Sequence, residues 1–304
     1  MQSLSAVQTP IGKMFLNKYT IPNFQRPYSW EVDECLQLWE DIEYFASNKK
    51  DGETYFCGCV ILVDGKSQQR DTIIDGQQRM TTFLLLLKSL LKIDGTNKRL
   101  ERCVRIYDDY DNLSIDLRIE SEVLTDDAKE LRTVVIEDRL GDNPKKYNRF
   151  EINYTSLLKA VEKWRRSKTA EEVAALVRAV IDDVVVLPIR CPDQENALTI
   201  FNTVNNRGMS LSDSDIFKAK LCIAFAERRD EFLRDWANLA KVDSDNYEWL
   251  FNTYMHIRMS INGSILDTKS ALTKENTSNM KKMETICCWL KSHKKQWTIF
   301  KSCI

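Results

Sequence analysis

Glycine and proline are scarce in this chain, at 9 and 6 of 304 residues, which excludes long flexible linkers and favours helices. Charge of one sign is lacking too: 44 basic and 45 acidic side chains leave a net charge of -1. A chain so balanced does not coat nucleic acid through its overall field, although a local basic groove stays open. The short basic runs at Lys145-Lys146, Lys163–Lys168 and Lys291–Lys295 are interleaved with apolar residues or sit beside acids, as solvated helix faces do. No apolar run approaches the roughly 20 residues of a membrane span; the longest is Phe83–Leu87. The N-terminus shows no basic stretch followed by an apolar one, so no secretory signal is expected. Paired CxxC spacings are missing among the nine cysteines, and Cys57-Gly58-Cys59 is too tight for the usual zinc site. The cysteines read as reduced and buried, and the protein as cytoplasmic.

What is present is the material of a soluble globular protein: 43% hydrophobic and 29% charged residues. At about 150 residues per domain the length suggests two domains, or one with a large elaboration. Tyr19-Thr20-Ile21-Pro22 reads as extended. Pro22 and Pro27 keep the next segment out of a helix, and Ser29 is placed to cap a helix carrying Val32, Cys35, Leu36, Trp39, Ile42 and Ala46 at helical spacing. Strands are expected over 55–63 and 72–74, then a turn at Gly76 and a helix over 77–91 that is apolar almost all round, and so central and buried. Residues 94–150 read as an insertion of short helices. Helices follow over 154–166 and 170–182, a strand over 184–189, and helices over 194–204 and from Ser212 onward. The chain ends after Trp297 without a stop signal, as a piece of a longer protein would. Few strands among many helices, without regular alternation, predict a helix-rich α+β fold rather than a doubly wound sheet.

Three polar clusters stand in this apolar setting. The first is Ile21–Trp30, where prolines pre-set the backbone around Gln25 and Arg26; it reads equally as a proline-punctuated approach to a helix, with Phe24, Tyr28 and Trp30 in the core. The second, Ile73–Thr82, runs from strand through Gly76 into helix. Free N–H groups and the positive helix end then lie beside Arg79, Gln77 and Gln78, a setting suited to phosphate, while Asp75 could hold magnesium or position a water. The competing reading makes Asp75 an N-cap and Gln78 its capping-box partner. The third, Phe201–Ser212 with Asp215 and Lys218, brings Asn205, Asn206 and Arg207 to a bend between helices, where they serve either a ligand or turn chemistry.

Together the clusters resemble the GmrSD N-terminal family, a domain related to ParB and sulfiredoxin. The carriers are an IP-x-[FY]-QR-x-Y-x-W segment at Ile21–Trp30, a DGQQR-x-TT signature at Asp75–Thr82 and an F-x-x-x-N-x-x-G-x-x-L-[ST]-x-x-D motif at Phe201–Asp215. All occur in order, Gly58 fits, and the resemblance covers about residues 10–225. It implies a small ParB-like mixed sheet with helical additions, placed over 1–225; the residues themselves read as a helical insertion at about 94–182 and an all-helical part over 226–304. It also implies a nucleotide site in a phage-restriction system that recognises modified DNA. Carried over by position, Asp75, Gln77, Gln78 and Arg79 would be catalytic. Gln25, Arg26, Gly76, Thr81, Asn202, Asn205 and Arg207 would line the nucleotide, with Tyr28, Asp215 and Lys218 as weaker candidates and Asp75 as the metal ligand. The implied cofactor is a nucleoside triphosphate with Mg2+; the implied partners are DNA and a nuclease domain or subunit, with no membrane. Many relatives carry a C-terminal nuclease with an HNH-like histidine motif. His256 and His293, the two histidines here, do not have that spacing, so DNA cleavage by this chain alone is not expected.

Three functions compete at this point: an NTP-hydrolysing regulatory domain, a non-catalytic sensor that binds DNA or a partner, and a ParB-like nuclease. The last ranks lowest, because few acidic metal ligands cluster in the motifs.

Overall fold

The computed structural model describes residues 6–65, 70–107, 112–114, 116–123 and 125–204. The chain divides into two compact units, Met1–Asn206 and Arg207–Ile304, and every described element belongs to the first. The expected helices beyond Ser212 lie outside the described residues.

A short N-terminal strand β1 (Thr9–Pro10) runs into helix α1 (Ile11–Met14), followed by β2 (Tyr19–Ile21) and α2 (Val32–Asn48). Then come β3 (Tyr55–Val63), β4 (Asp71–Asp75) and α3 (Gln77–Ile93). The inserted segment carries α4 (Lys98–Val104), β5 (Ile119–Ser121), α5 (Thr125–Val135), a 3-10 turn (Pro144–Lys146) and α6 (Arg149–Arg165). Helix α7 (Ala170–Asp182), β6 (Val184–Cys191) and α8 (Gln194–Val204) complete the unit. Six strands form one mixed sheet in the order β1-β6-β3-β4-β2-β5. The fold is helix-rich mixed α/β, in agreement with the scarcity of glycine and proline.

The sheet centres on β3, whose run of aromatic, aliphatic and cysteine side chains suits burial. It pairs parallel with β6 and antiparallel with β4, and breaks register between Phe56 and Cys59 around Gly58. Helix α3 leaves the end of β4 into the core, where Phe83, Leu84, Leu85, Leu86, Leu87 and Leu90 are fully buried. Its one fully enclosed cation, Lys88, meets Asp138 of the insertion at 3.0 Å, and burial lowers the Lys88 pKa. Among the described residues no helix is long and apolar enough to cross a membrane. The described cysteines are all free; Cys59 is half-buried and Cys35, Cys57, Cys103 and Cys191 are buried.

The structure corrects several sequence expectations. Helix α2 is capped by Glu31, not Ser29. The Ser29 N–H is already bonded to Gln78, and the Glu34 carboxylate accepts the Glu31 N–H at 2.6 Å. Helix α6 begins at Arg149 because Asn148 and Glu151 make a reciprocal capping box. The insertion is not only helical. Its strand β5 pairs parallel with β2, Ile21 opposite Ser121, and becomes an edge of the sheet. Arg70 fastens that edge through Glu120 at 3.1 Å and the Leu117 carbonyl at 2.6 Å.

Because α3 is enclosed on all sides, Leu87→Ala should leave a cavity that its neighbours cannot fill. A loss of about 2 to 5 kcal/mol is expected in denaturant unfolding; an unchanged midpoint would show that Leu87 is not a core residue.

Candidate functional site

The site is built where β4 turns into α3. Gly76 is the N-cap, with φ 87° and ψ 8°, a left-handed conformation that glycine adopts freely. A Cβ there would also lie 3.2 Å from Val60 Cγ2. The turn is therefore made by backbone, and the capping box of Asp75 with Gln78 does not form. Asp75 sits one residue before the cap, and Gln78 points elsewhere.

Gln78 reaches the proline-rich segment instead. Its Oε1 accepts the N–H groups of Ser29 at 2.8 Å and Trp30 at 3.2 Å, and its Nε2 donates to the Pro27 carbonyl at 3.0 Å. Gln77 Nε2 donates to the Arg26 carbonyl at 3.2 Å. Gln25 returns the contact, donating from Nε2 to the Ile74 carbonyl at 2.9 Å. These three buried amides join the first two clusters through main-chain groups that no helix or strand satisfies. Thr81 is buried as well.

The charges of two arginines act on Asp75 as a result. Burial pushes the Asp75 pKa up, while the backbone hydrogen bond at Gly76 and the charges of Arg79 and Arg26 pull it back. Arg79 is partly committed: its Nη1 donates to the Cys59 carbonyl at 3.1 Å, and its guanidinium covers Gly58, where a Cβ would lie 3.0 Å from Nη1. Gly58 also has φ 86°, so the strand bulge and the arginine fit each other only with glycine there. Arg26 is exposed and has no side-chain hydrogen bond or ion pair among the described residues. It lines a narrow cleft with Gln77, Gln78, Thr81, Ser121 and Asp127. Among the described residues no group of three or more His, Cys, Asp or Glu side chains is placed to hold a metal. Asp75, already under the positive charges of Arg79 and Arg26, does not suit a resident cation. Magnesium would fit only as an ion carried in on a nucleotide's own phosphates.

The third cluster cannot be placed beside the other two. Asn202 lies on α8, and Asn205, Arg207, Asp215 and Lys218 lie outside the described residues. Sequence reasoning missed two groups that grip Tyr28. The Asn153 amide donates to the Tyr28 hydroxyl at 3.0 Å and to the Trp30 carbonyl at 2.8 Å. The Asp127 carboxylate is held by the Tyr28 backbone, and burial raises its pKa. Asn153 left a readable trace, a lone amide among Phe150, Tyr154, Leu157 and Val161, which share one buried helix face. Asp127, in the acidic first turn of α5, left none.

Comparison with known families places the chain. The family model described as GmrSD restriction endonuclease, N-terminal domain, matches residues 11–222, so the chain belongs to that family. No curated protein matches.

Three substitutions test the construction. Gln78→Ala strands the Pro27 carbonyl and two N–H groups, at about 1 to 3 kcal/mol for each one left without water; it should lower the melting temperature more than Gln77→Ala, which frees one. Gly58→Ala should both destabilise the fold, by about 1 to 2 kcal/mol for the left-handed backbone, and displace Arg79. Equal melting temperatures for all three variants and wild type would refute the clamp.

Proposed function

We propose that this member of the GmrSD N-terminal domain family binds a nucleoside triphosphate at the mouth of α3 and hydrolyses it, as the nucleotide-driven part of a restriction system acting on modified DNA. The observations that carry the reading are the seating of Arg79 on the Cys59 carbonyl, the hold of Gln77 on the Arg26 main chain, and the action of both arginine charges on half-buried Asp75 at the positive end of a 17-residue helix. A carboxylate alone would need one cation. The second guanidinium and the helix end leave a surplus of positive potential, which phosphate oxygens would neutralise.

In this reading Arg26 is the mobile phosphate ligand and the uncommitted donors of Arg79 are the fixed one. Magnesium carried in on the nucleotide would neutralise phosphate charge there. Asp75 accepts a proton from a water, whose oxygen attacks the terminal phosphorus as the bond to the bridging oxygen breaks. Gln77 and Gln78 hold the Arg26 segment and make no contact with the nucleotide. The same commitment of Gln77, Gln78 and Arg79 to main chain favours a second reading, a sensor that binds nucleotide without hydrolysing it. In either case the partners are DNA and a nuclease domain or subunit.

Phosphate release from ATP, GTP, CTP and UTP with magnesium, with and without DNA, tests the proposal. Arg26→Ala should weaken nucleotide binding about 10-fold to 150-fold, the equivalent of roughly 1.5 to 3 kcal/mol for a charge-assisted contact. Its melting temperature should hardly move, because the side chain is exposed. Arg79→Ala should lose both binding and stability. Asp75→Asn should keep binding and lose release. Since burial raises the Asp75 pKa, its basic form appears at higher pH than that of an ordinary exposed aspartate. Release should accordingly rise with pH through that displaced value and flatten above it. Binding without release for all four nucleotides would leave the sensor; neither binding nor release would sink the nucleotide site.

A further inference from the structure

We propose that Asn153, on helix α6 of the inserted segment, is a positioning residue for Arg26 and couples the insertion to the site. The functional consequence rests on the nucleotide reading above; the mechanical claim does not.

The hydrogen-bond polarity around Tyr28 can be assigned from donor counts. The Thr82 hydroxyl, with one proton, donates to the Gln78 carbonyl at 2.9 Å. It must therefore accept from the Tyr28 hydroxyl, 2.8 Å away. The Tyr28 oxygen is then an acceptor toward α6, and Asn153 Nδ2 donates to it at 3.0 Å. The same Nδ2 donates to the Trp30 carbonyl at 2.8 Å. Rotating the amide would set an oxygen against two acceptors, so its orientation is fixed.

This orientation has a cost. Asn153 is fully buried and its Oδ1 has no partner among the described residues. An orphaned buried acceptor is a poor choice for packing alone, where an apolar side chain would do as well. The pair of donors is what the position needs, and both act on the segment carrying Arg26. The Tyr28 ring stacks on Phe150 of α6, centroids 5.1 Å apart and planes 13° from parallel, and the Asp127 carboxylate holds the Tyr28 backbone. Between Tyr28 and Arg26 stands only Pro27, whose ring fixes its own φ and holds Arg26 extended. A shift of Tyr28 is thus transmitted to Arg26 with little slack.

The test is a cycle in full-length protein with Asn153→Ala, Tyr28→Phe and Arg26→Ala. Amide hydrogen exchange in nucleotide-free protein should accelerate about tenfold or more at Ser29 and Trp30, while Leu157 and Val161 of α6 keep their protection. Affinity for β,γ-imido-ATP or β,γ-imido-GTP with magnesium should fall about tenfold for Asn153→Ala, and hardly at all when Arg26→Ala is already present. Unchanged exchange, or the same loss of affinity in both backgrounds, would overturn the proposal, the latter by showing that Asn153 does not act through Arg26. Should Asn153→Ala fail to fold, Tyr28→Phe keeps the ring stack and carries the same comparison. If wild type binds neither analogue, the nucleotide reading fails, and the exchange pattern still decides whether Asn153 holds the segment.

Discussion

One side-chain amide carries much of this architecture. Gln78 satisfies two N–H groups and one carbonyl of a segment that belongs to neither strand nor helix. A stretch with two prolines loses donors and regular partners together, and each main-chain group left without a partner or water would cost about 1 to 3 kcal/mol. An amide accepts with one atom and donates with the other. A carboxylate in its place would strand the Pro27 carbonyl, and a hydroxyl could not span the three groups. The approach to α2, the depth of Tyr28 and the position of Arg26 all follow from that side chain and its neighbour Gln77.

This division of labour separates the two arginines. Arg79 grows from the first turn of α3 and is seated on Gly58 and the Cys59 carbonyl, so it is preorganised and has a structural duty. Arg26 is exposed, and the residues that place it hold its backbone, leaving the guanidinium free to follow a ligand. A fixed cation and an adaptable one beside a carboxylate whose pKa burial has raised form an arrangement suited to phosphate chemistry. The electrostatics also explain why Asp75 need not be a resident metal ligand: both guanidinium groups already lower its pKa against the desolvation of a half-buried site.

Much of the fold was legible in the residues because the governing signals were local. Pro22 and Pro27 excluded a helix, the aliphatic run of α3 demanded burial, and the apolar strands β3 and β6 and helices α7 and α8 lie where pattern and breakers placed them. The errors occurred where a local rule competed with a distant partner. Ser29 has the chemistry of a cap, yet its own N–H is taken by Gln78, 49 positions away. Asp75 and Gln78 have the spacing of a capping box, but Gly76 turns left-handed and sends them apart. Strand β5 has three residues, too few to show alternation, and exists because β2 offers it an open edge. The first two polar clusters do meet, but what the glutamines do there depends on tertiary contacts.

The insertion meets the arginine segment at both ends, and this gives the site its architecture. At the start, β5 sets Ser121 opposite Ile21 and the Glu122 N–H donates to the Ile21 carbonyl at 2.9 Å. At the far end, α6 grips Tyr28 and Trp30. Between these anchors the segment is bonded to the core, through Gln25 to β4 and through Gln77 and Gln78 to α3. Residues 22–30 are thus shared between the inserted elements and the β4–α3 turn, and any rearrangement of α5 and α6 relative to the sheet would work against the glutamine bonds that hold Arg26 in the middle of that segment.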